Sequence, residues 1–304
     1  MPEIAANGIR IAYDEIGDPK APAILLVMGL GTQMIAWPLP FCRALAERGF
    51  RVVRFDNRDI GLSTKFDKAG TVNVAAAFAR ALIGRSVEAP YKLDDMAADA
   101  VGLMDELGID QAHVVGASMG GMIAQIVAAK YRDRVRSLVS IMSSSGDPKL
   151  PSAKPKAMAA LLAPRPGPED RERVVKHGMN IYRIIGSPGF PTSDAELRAK
   201  IEQAADRSYY PAGVARQMVA ILASGSRVDL LRTIKAPTLV LHGADDPLVP
   251  VEAGVDTAKR VPGARLQIIP GMGHDLAPGL VPILAEAIAG HCLAADRQFQ
   301  PALN

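Results

Sequence analysis

Residues 116–121 read Gly-Ala-Ser-Met-Gly-Gly, and their setting constrains the chain more than any other feature. They follow the apolar run Ala112-His113-Val114-Val115 and precede Met122-Ile123-Ala124-Gln125-Ile126-Val127-Ala128-Ala129, which reads as a helix. A serine at such a junction, with glycine two residues away on each side, sits on a sharp strand-to-helix turn. Gly116 and Gly120 keep side chains out of the crossing between the two elements. The turn holds Ser118 in a strained backbone conformation and presents its hydroxyl at the helix N-terminus. Gly-x-Ser-x-Gly alone is a weak signal, because both residue types are common. Its place between strand and helix gives it weight, and partners further along the chain give it more.

The other apolar runs extend the pattern. Residues 9–13 alternate, and residues 23–28, 51–55, 135–141, 238–241 and 266–269 are further strand candidates. Runs apolar on both faces suit the central strands of a parallel sheet covered by helices. Helical stretches at 38–48, 94–107, 119–131, 252–260 and 278–293 separate most of them. Pro38 and the pair Asp94-Asp95 are sensible helix starts. Strand and helix therefore alternate as in a doubly wound α/β core.

The rhythm breaks twice. A helical run, 74–82, follows the strand at 51–55, and residues 146–234 hold no convincing strand. The second stretch opens proline-rich, contains the helical run 157–162, and continues with helical runs near 170–185, 194–206 and 211–223. The expected organisation is a core formed by 1–145 and 235–304, with 146–234 inserted as a helical cap. Ligands of open α/β sheets bind beyond the carboxyl ends of the strands, so such a cap covers the site.

Serine at its ordinary pKa is a poor nucleophile and needs a base. Of the five histidines, His274 lies in Pro270-Gly271-Met272-Gly273-His274-Asp275, directly after the run 266–269. That places it on a glycine-rich loop above the sheet. His242 closes the strand 238–241 and packs beneath the loop as a secondary candidate. His113 begins the serine-bearing strand at its far end, His177 falls in the cap and His291 in the last helix. An acid must orient the imidazole and support its charge. Asp245 and Asp246 compete for this role in His242-Gly243-Ala244-Asp245-Asp246-Pro247. Spacing from the strand end favours Asp246, three residues past Gly243, with Asp245 capping the turn or the helix that follows. Two N–H donors must hold a developing oxyanion. Met119 supplies one at the start of the helix, and Leu30, in Met28-Gly29-Leu30-Gly31, is the natural second. The chain order Ser118, Asp246, His274 differs from both protease orders built on the same three residue types.

Other chemistries fit less well. Gly29-Leu30-Gly31-Thr32-Gln33-Met34 lacks the third glycine of a dinucleotide fingerprint, and no Walker loop is present. No metal-binding cluster stands out. A net charge of +3, scattered basic residues and 5% aromatics argue against nucleic acid as a partner. Cys42 and Cys292 are too few and too far apart for a disulfide scaffold, and Cys42 reads as a buried thiol. Residues 1–7 lack a secretory pattern and no uninterrupted span of about 20 apolar residues appears, so a cytoplasmic location is the expectation. Self-association stays open.

At this point the chain resembles the α/β-hydrolase superfamily over nearly its whole length. Met28-Gly29-Leu30-Gly31, Phe55-Asp56-Asn57-Arg58-Asp59-Ile60-Gly61-Leu62-Ser63, the Ser118 turn and the Asp246 and His274 segments carry the likeness in order. Within it the chain is most similar to the aclacinomycin methylesterase group, through Asp56-Asn57-Arg58-Asp59-Ile60-Gly61 and Ile269-Pro270-Gly271-Met272-Gly273-His274. The resemblance implies carboxylic ester hydrolysis without a cofactor and a helical cap. It puts the nucleophile on Ser118, the acid on Asp246 and the base on His274. Met28-Gly29 stands where such proteins commonly have His-Gly, which removes a polar side chain and leaves the backbone donors. Asp56 and Arg58 read as a structural network. The run 74–82 departs from the methylesterase pattern and bears on the pocket mouth.

The expected reaction is cleavage of a small-molecule ester through an acyl-enzyme. Lactones, thioesters, carbon–carbon bond hydrolysis and perhydrolysis suit the same machinery, and a non-catalytic receptor that keeps the pocket is the contrasting reading. Methionines adapt to irregular apolar ligands. Met34, Trp37, Met158, Met179 and Met218 are therefore the expected pocket residues, with a preference for uncharged esters.

Overall fold

The runs apolar on both faces assemble into one eight-stranded sheet of order β1-β2-β4-β3-β5-β6-β7-β8. In this computed structural model, which describes residues 2–299, the strands are β1 (Glu3–Ala6), β2 (Ile9–Ile16), β3 (Ala23–Val27), β4 (Arg51–Phe55), β5 (Ala112–Ala117), β6 (Val135–Ile141), β7 (Thr238–Gly243) and β8 (Arg265–Ile269). The pairs β1–β2 and β2–β4 are antiparallel, and every other pair is parallel. All residues of β3, β5 and β7 are buried, as expected for strands covered on both faces.

Alternate residues of each strand enter separate cores. Leu25, Val27 and Val53 pack on one face with Met96, Leu103, Ile123 and Val127. Those four residues come from α3 (Leu93–Glu106) and α4 (Met119–Lys130). Ile24, Leu26 and Val52 pack on the other face with Phe41, Leu45, Leu284 and Ile288. These come from α1 (Leu39–Ala46) and α11 (Val281–Phe299). The two-residue period of the strands thus divides one sheet between two helical layers. The stretch Pro278–Gln298 is long and apolar enough to cross a membrane. Its face bearing Leu284, Ala285, Ile288 and Cys292 is nevertheless packed in the second core, as in a core helix. Burial pushes the Cys42 thiol up to about 11 and the Cys292 thiol up to about 12, and both are free.

Strand β1 was not among the expected elements. It forms a hairpin with β2, Ala6 facing Ile9, through Asn7-Gly8 at φ values of 48° and 74°. Two positive-φ residues of this type make the tight turn that matches strand twist.

Between β6 and β7 the chain leaves the sheet and forms α5 (Pro155–Leu162), α6 (Arg171–Ile185), α7 (Asp194–Arg207), α8 (Pro211–Ser224) and α9 (Val228–Leu231). The Asp170 carboxylate caps α6 by accepting from Arg173 N, and Ser193 with Glu196 forms a capping box on α7. Val175, Met179, Leu197 and Ile201 give the α6–α7 pair a small core of its own. The four-residue α9 was also unforeseen; it is too short for a periodic signal. Helix α8 packs against α2 (Val74–Leu82) through Val219 and Ala77, so the extra run after β4 buttresses the cap. Helix α10 (Val251–Arg260) packs against β7 and the edge strand β8, whose first four residues stay exposed.

The loop after β4 ties cap to core. Both Arg216 nitrogens Nε and Nη2 donate to the Asp59 carboxylate, at 2.8 and 2.9 Å, with both residues buried. Burial pushes Asp59 up, but hydrogen bonds from Arg216, Phe66 N and Tyr91 outweigh it and hold the carboxyl below its ordinary range. Arg58 makes a two-pronged pair with Asp99 at 2.6 and 2.7 Å, and Asp56 accepts from Met34 N and Leu62 N. Asp56 and Arg58 thus form the structural network read from the sequence.

Candidate active site

Ser118 sits between β5 and α4 at φ 56°, ψ −120°, a region that costs a non-glycine residue strain. The surroundings impose it. A Cβ on Gly116 would lie 2.1 Å from Gly120 O, and one on Gly120 would lie 2.1 Å from Val27 O. No larger residue fits either position without moving backbone. Ser118 N donates to Ile141 O at 2.9 Å, and Ser143 Oγ donates to Ser118 O at 2.8 Å. The turn is therefore braced by β6 and by the segment that follows it.

His274 Nε2 lies 3.0 Å from Ser118 Oγ, and His274 Nδ1 lies 2.7 Å from Asp246 Oδ2. Asp246 is fixed in turn, because its Oδ1 accepts from Leu248 N and Val249 N, both at 2.8 Å. With the carboxylate saturated on that side, Oδ2 is left to accept Nδ1–H, which puts the Nε2 lone pair toward Ser118. Asp245 faces elsewhere and accepts from Gly271 N at 2.8 Å, holding the glycine turn of the His274 loop. His242 lies beneath, fully buried, with Nε2 2.8 Å from Val249 O and 3.8 Å from Asp246 Oδ2. Burial lowers its pKa, so it packs as a neutral ring behind the acid.

The cap grips the same loop. His274 N donates to Ile185 O at 2.7 Å and Gly273 N donates to Ser187 Oγ at 2.9 Å. The Ser187 hydroxyl donates to Asp275 Oδ1. Burial raises the Asp275 carboxyl, although the Ser187 hydroxyl and the charge of Lys200 oppose the rise. A Cβ on Gly273 would lie 2.3 Å from Gly186 O, so glycine is what allows the two segments to meet.

Leu30 and Met119 lie with Ser118 in the wall of a cavity of about 450 Å³. Among the described residues neither backbone N–H has a protein acceptor. The Gly29 Cα faces Ser118, since a Cβ there would meet Ser118 Cβ at 3.1 Å. Two free amides beside the serine leave the arrangement able to receive an oxyanion.

Met122, Met142, Met158, Ile181, Met218 and Ile221 make much of the cavity wall apolar. Met158 and Met218 thus stand where the sequence put them. Three of the expected pocket residues do not. Met34 is fully buried; its N–H is held by Asp56 Oδ1, and its neighbours Ile35 and Ala36 face the cavity instead. Trp37 is in the second core, stacked on Phe41 at 5.4 Å between ring centroids. Met179 belongs to the α6–α7 core, while Val174, Gly178, Ile181 and Ile185 form the α6 stripe that lines the cavity. The error at Met179 is one residue of helical register. Phe78 of α2 reaches the cavity too, as the departure at 74–82 suggested for its mouth. Arg165, which the sequence did not single out, and His177, which it placed in the cap, also line it. No group of metal-ligating side chains occurs among the described residues.

A family model described as alpha/beta hydrolase fold matches residues 22–277, most of the chain. The chain belongs to the α/β-hydrolase fold family. It is a hydrolase of that class. Its relatives include a rhodomycin D methylesterase of Streptomyces sp. (strain C5), 27% identical over 96% of this chain and 98% of the relative. A putative carbamate hydrolase of Caulobacter sp. (strain K31) is 29% identical, over 86% of this chain and 88% of that protein. Among solved structures, a meta-cleavage product hydrolase from Pseudomonas fluorescens superposes with a TM-score of 0.76 at 19% identity, covering 97% of this chain and 98% of that one. An enol-lactonase from Burkholderia xenovorans gives 0.66 at 23% identity, over 98% and 100%. At these identities the structures speak for the fold alone.

Proposed function

We propose that this hydrolase cleaves carboxylic esters of small, largely apolar substrates through an acyl-enzyme on Ser118. The observation that carries the reading is the hydrogen-bonded line Ser118–His274–Asp246, with two unpartnered amides beside the serine. His274 Nε2 takes the Ser118 proton as Oγ attacks the ester carbonyl. The Leu30 and Met119 amides receive the negative oxygen of the tetrahedral intermediate. Asp246 Oδ2 supports the imidazolium through Nδ1–H. The intermediate collapses as His274 gives its proton to the leaving alcohol. Water, deprotonated by the same nitrogen, then attacks the acyl carbon; Ser118 leaves and regains its proton, and the free acid departs.

The apolar wall supports an apolar acyl or alcohol group, and the likeness to a rhodomycin D methylesterase supports an ester as the scissile bond. A panel of matched methyl, p-nitrophenyl, lactone and thioester substrates, ranked by kcat/KM, tests it. Turnover led by the simple esters and abolished in Ser118→Ala is expected. Higher kcat/KM for the lactone or the thioester would overturn the ester assignment. Tight binding of all panel members without turnover would favour a receptor.

A further inference from the structure

The wall of the Ser118 cavity also contains a cation with no direct partner among the described residues. Arg165 lies in the loop after α5 and lines the cavity that holds Ser118. Among the described residues it makes no hydrogen bond and no ion pair. Its Nη2 is 3.6 Å from where a Cβ on Gly31 would stand, so the guanidinium abuts the loop whose preceding residue is Leu30. The segment is pinned: Tyr209 Oη donates to Pro166 O at 2.8 Å, next to Arg165 in the chain. Val214 flanks the same glycine, 2.9 Å from the would-be Cβ.

Other arginines brought from the cap to the core have acceptors. Arg216 is paired with Asp59, and Arg207 is paired with Asp56. Arg165 is half-buried, and a cation partly withdrawn from water without a counter-charge is unfavourable. Desolvation lowers the Arg165 pKa from its ordinary value. A second polar group shares the wall. His177 also lines the cavity, and its Nε2 is buried without a partner. Burial first, then the Arg165 charge, lowers its pKa, which leaves a neutral ring able to donate one further hydrogen bond. Lys200 and Asp275 line both this cavity and the adjoining groove of about 860 Å³, where Lys154 and Lys156 stand alongside Glu196 and Asp245, so the charges there are mixed.

We propose that Arg165, assisted by His177, is a carboxylate subsite, and that the substrate is an ester with an apolar body and a second, ionised carboxyl group. This deepens the ester reading and rests on it for the scissile bond. A guanidinium takes a carboxylate through two parallel N–H bonds, which fixes orientation as well as charge. Anchored at Arg165, the apolar part of the substrate runs along the methionine-lined wall and brings the ester carbonyl to Ser118. The preference for uncharged esters, argued from methionines alone, is thereby reversed.

The test separates recognition from turnover. Ser118→Ala protein is titrated calorimetrically with monomethyl adipate and with its dimethyl diester. The monoanion should bind at least about 10-fold more tightly, and adding Arg165→Met should remove that difference. Equal affinity for the two ligands, or a difference that survives Arg165→Met, overturns the subsite. With Ser118 present, Arg165→Met should lower the ratio of kcat/KM for monoester over diester by about 100-fold, the scale for removing one partner of a desolvated charge pair. Arg165→Lys, which keeps the charge and loses the fork, should recover part of the ratio and serves if the methionine variant does not fold. Binding that follows Arg165 without hydrolysis of either ester would sustain the subsite and sink the ester reading. Hydrolysis of both with no charge preference would do the opposite.

Discussion

Replacing Asp246 by asparagine is the substitution whose outcome the geometry determines most fully. The side chain is held on one side by Leu248 N and Val249 N, both 2.8 Å from Oδ1. An asparagine must keep its carbonyl oxygen there, because an amide NH₂ would face two donors. Its Nδ2 then takes the place of Oδ2, 2.7 Å from His274 Nδ1, and presents a proton where Asp246 accepted one. The imidazole answers with the other tautomer, Nδ1 accepting and Nε2 protonated. Nε2 sits 3.0 Å from Ser118 Oγ and can no longer take its proton. The same exchange in serine proteases lowers kcat by about 10⁴-fold, or about 5 kcal/mol of transition-state stabilisation. Shape and hydrogen-bond count are preserved, so the melting temperature should change little. Steady-state kinetics on an aryl ester, with Asp245→Asn in parallel, reads the effect. The Asp245 carboxylate bonds only the Gly271 amide among the described residues, and its variant should lose far less. Asp246→Asn within 10-fold of the parent, or a larger loss at Asp245, would refute the argument.

Two further outcomes follow from the ties between cap and core. Arg216→Met leaves the buried Asp59 carboxylate without its bidentate partner and should cost about 3–5 kcal/mol of stability at neutral pH by denaturant unfolding. Asp59 has a folded pKa below its unfolded one, so the pair stabilises above the ordinary carboxylate range and loses that contribution as pH falls through the folded value; the gap between parent and variant should narrow there. A gap that stays constant into acid would contradict this. Ser187→Ala removes the acceptor of Gly273 N and the donor to Asp275, loosening the loop that carries His274. Here kcat should fall roughly 10-fold with a small change in KM, as expected when a reacting group is misplaced rather than lost; an unchanged kcat would show that Ile185 O alone positions the loop.

What the sequence made legible depends on how local each signal is. The Ser118 turn was readable because strand, glycines and helix adjoin, and Gly116 and Gly120 each answer to a backbone contact of 2.1 Å. Asp246 and His274 follow the ends of β7 and β8, and spacing along the chain brings such residues to one rim of a parallel sheet. The hairpin at Asn7-Gly8 carried a recognisable turn signal, yet its first strand has only four residues. Pocket direction was another matter. Met34, Trp37 and Met179 are apolar, and hydrophobicity gives burial without saying which side of a helix is buried against what. Arg165 was invisible for the converse reason: arginines are usually solvated, and only the lack of a partner in three dimensions marks this one.

Covalent capture reads whether Ser118 is the nucleophile. The parent protein and His274→Ala are incubated with a fluorophosphonate, digested and mapped by mass spectrometry. One adduct is expected on the peptide containing Ser118, with loss of esterase activity in step with its formation, and much slower labelling in His274→Ala, where the imidazole 3.0 Å from the hydroxyl is gone. Full inhibition with Ser118 unmodified, or labelling that proceeds equally fast without His274, would contradict it.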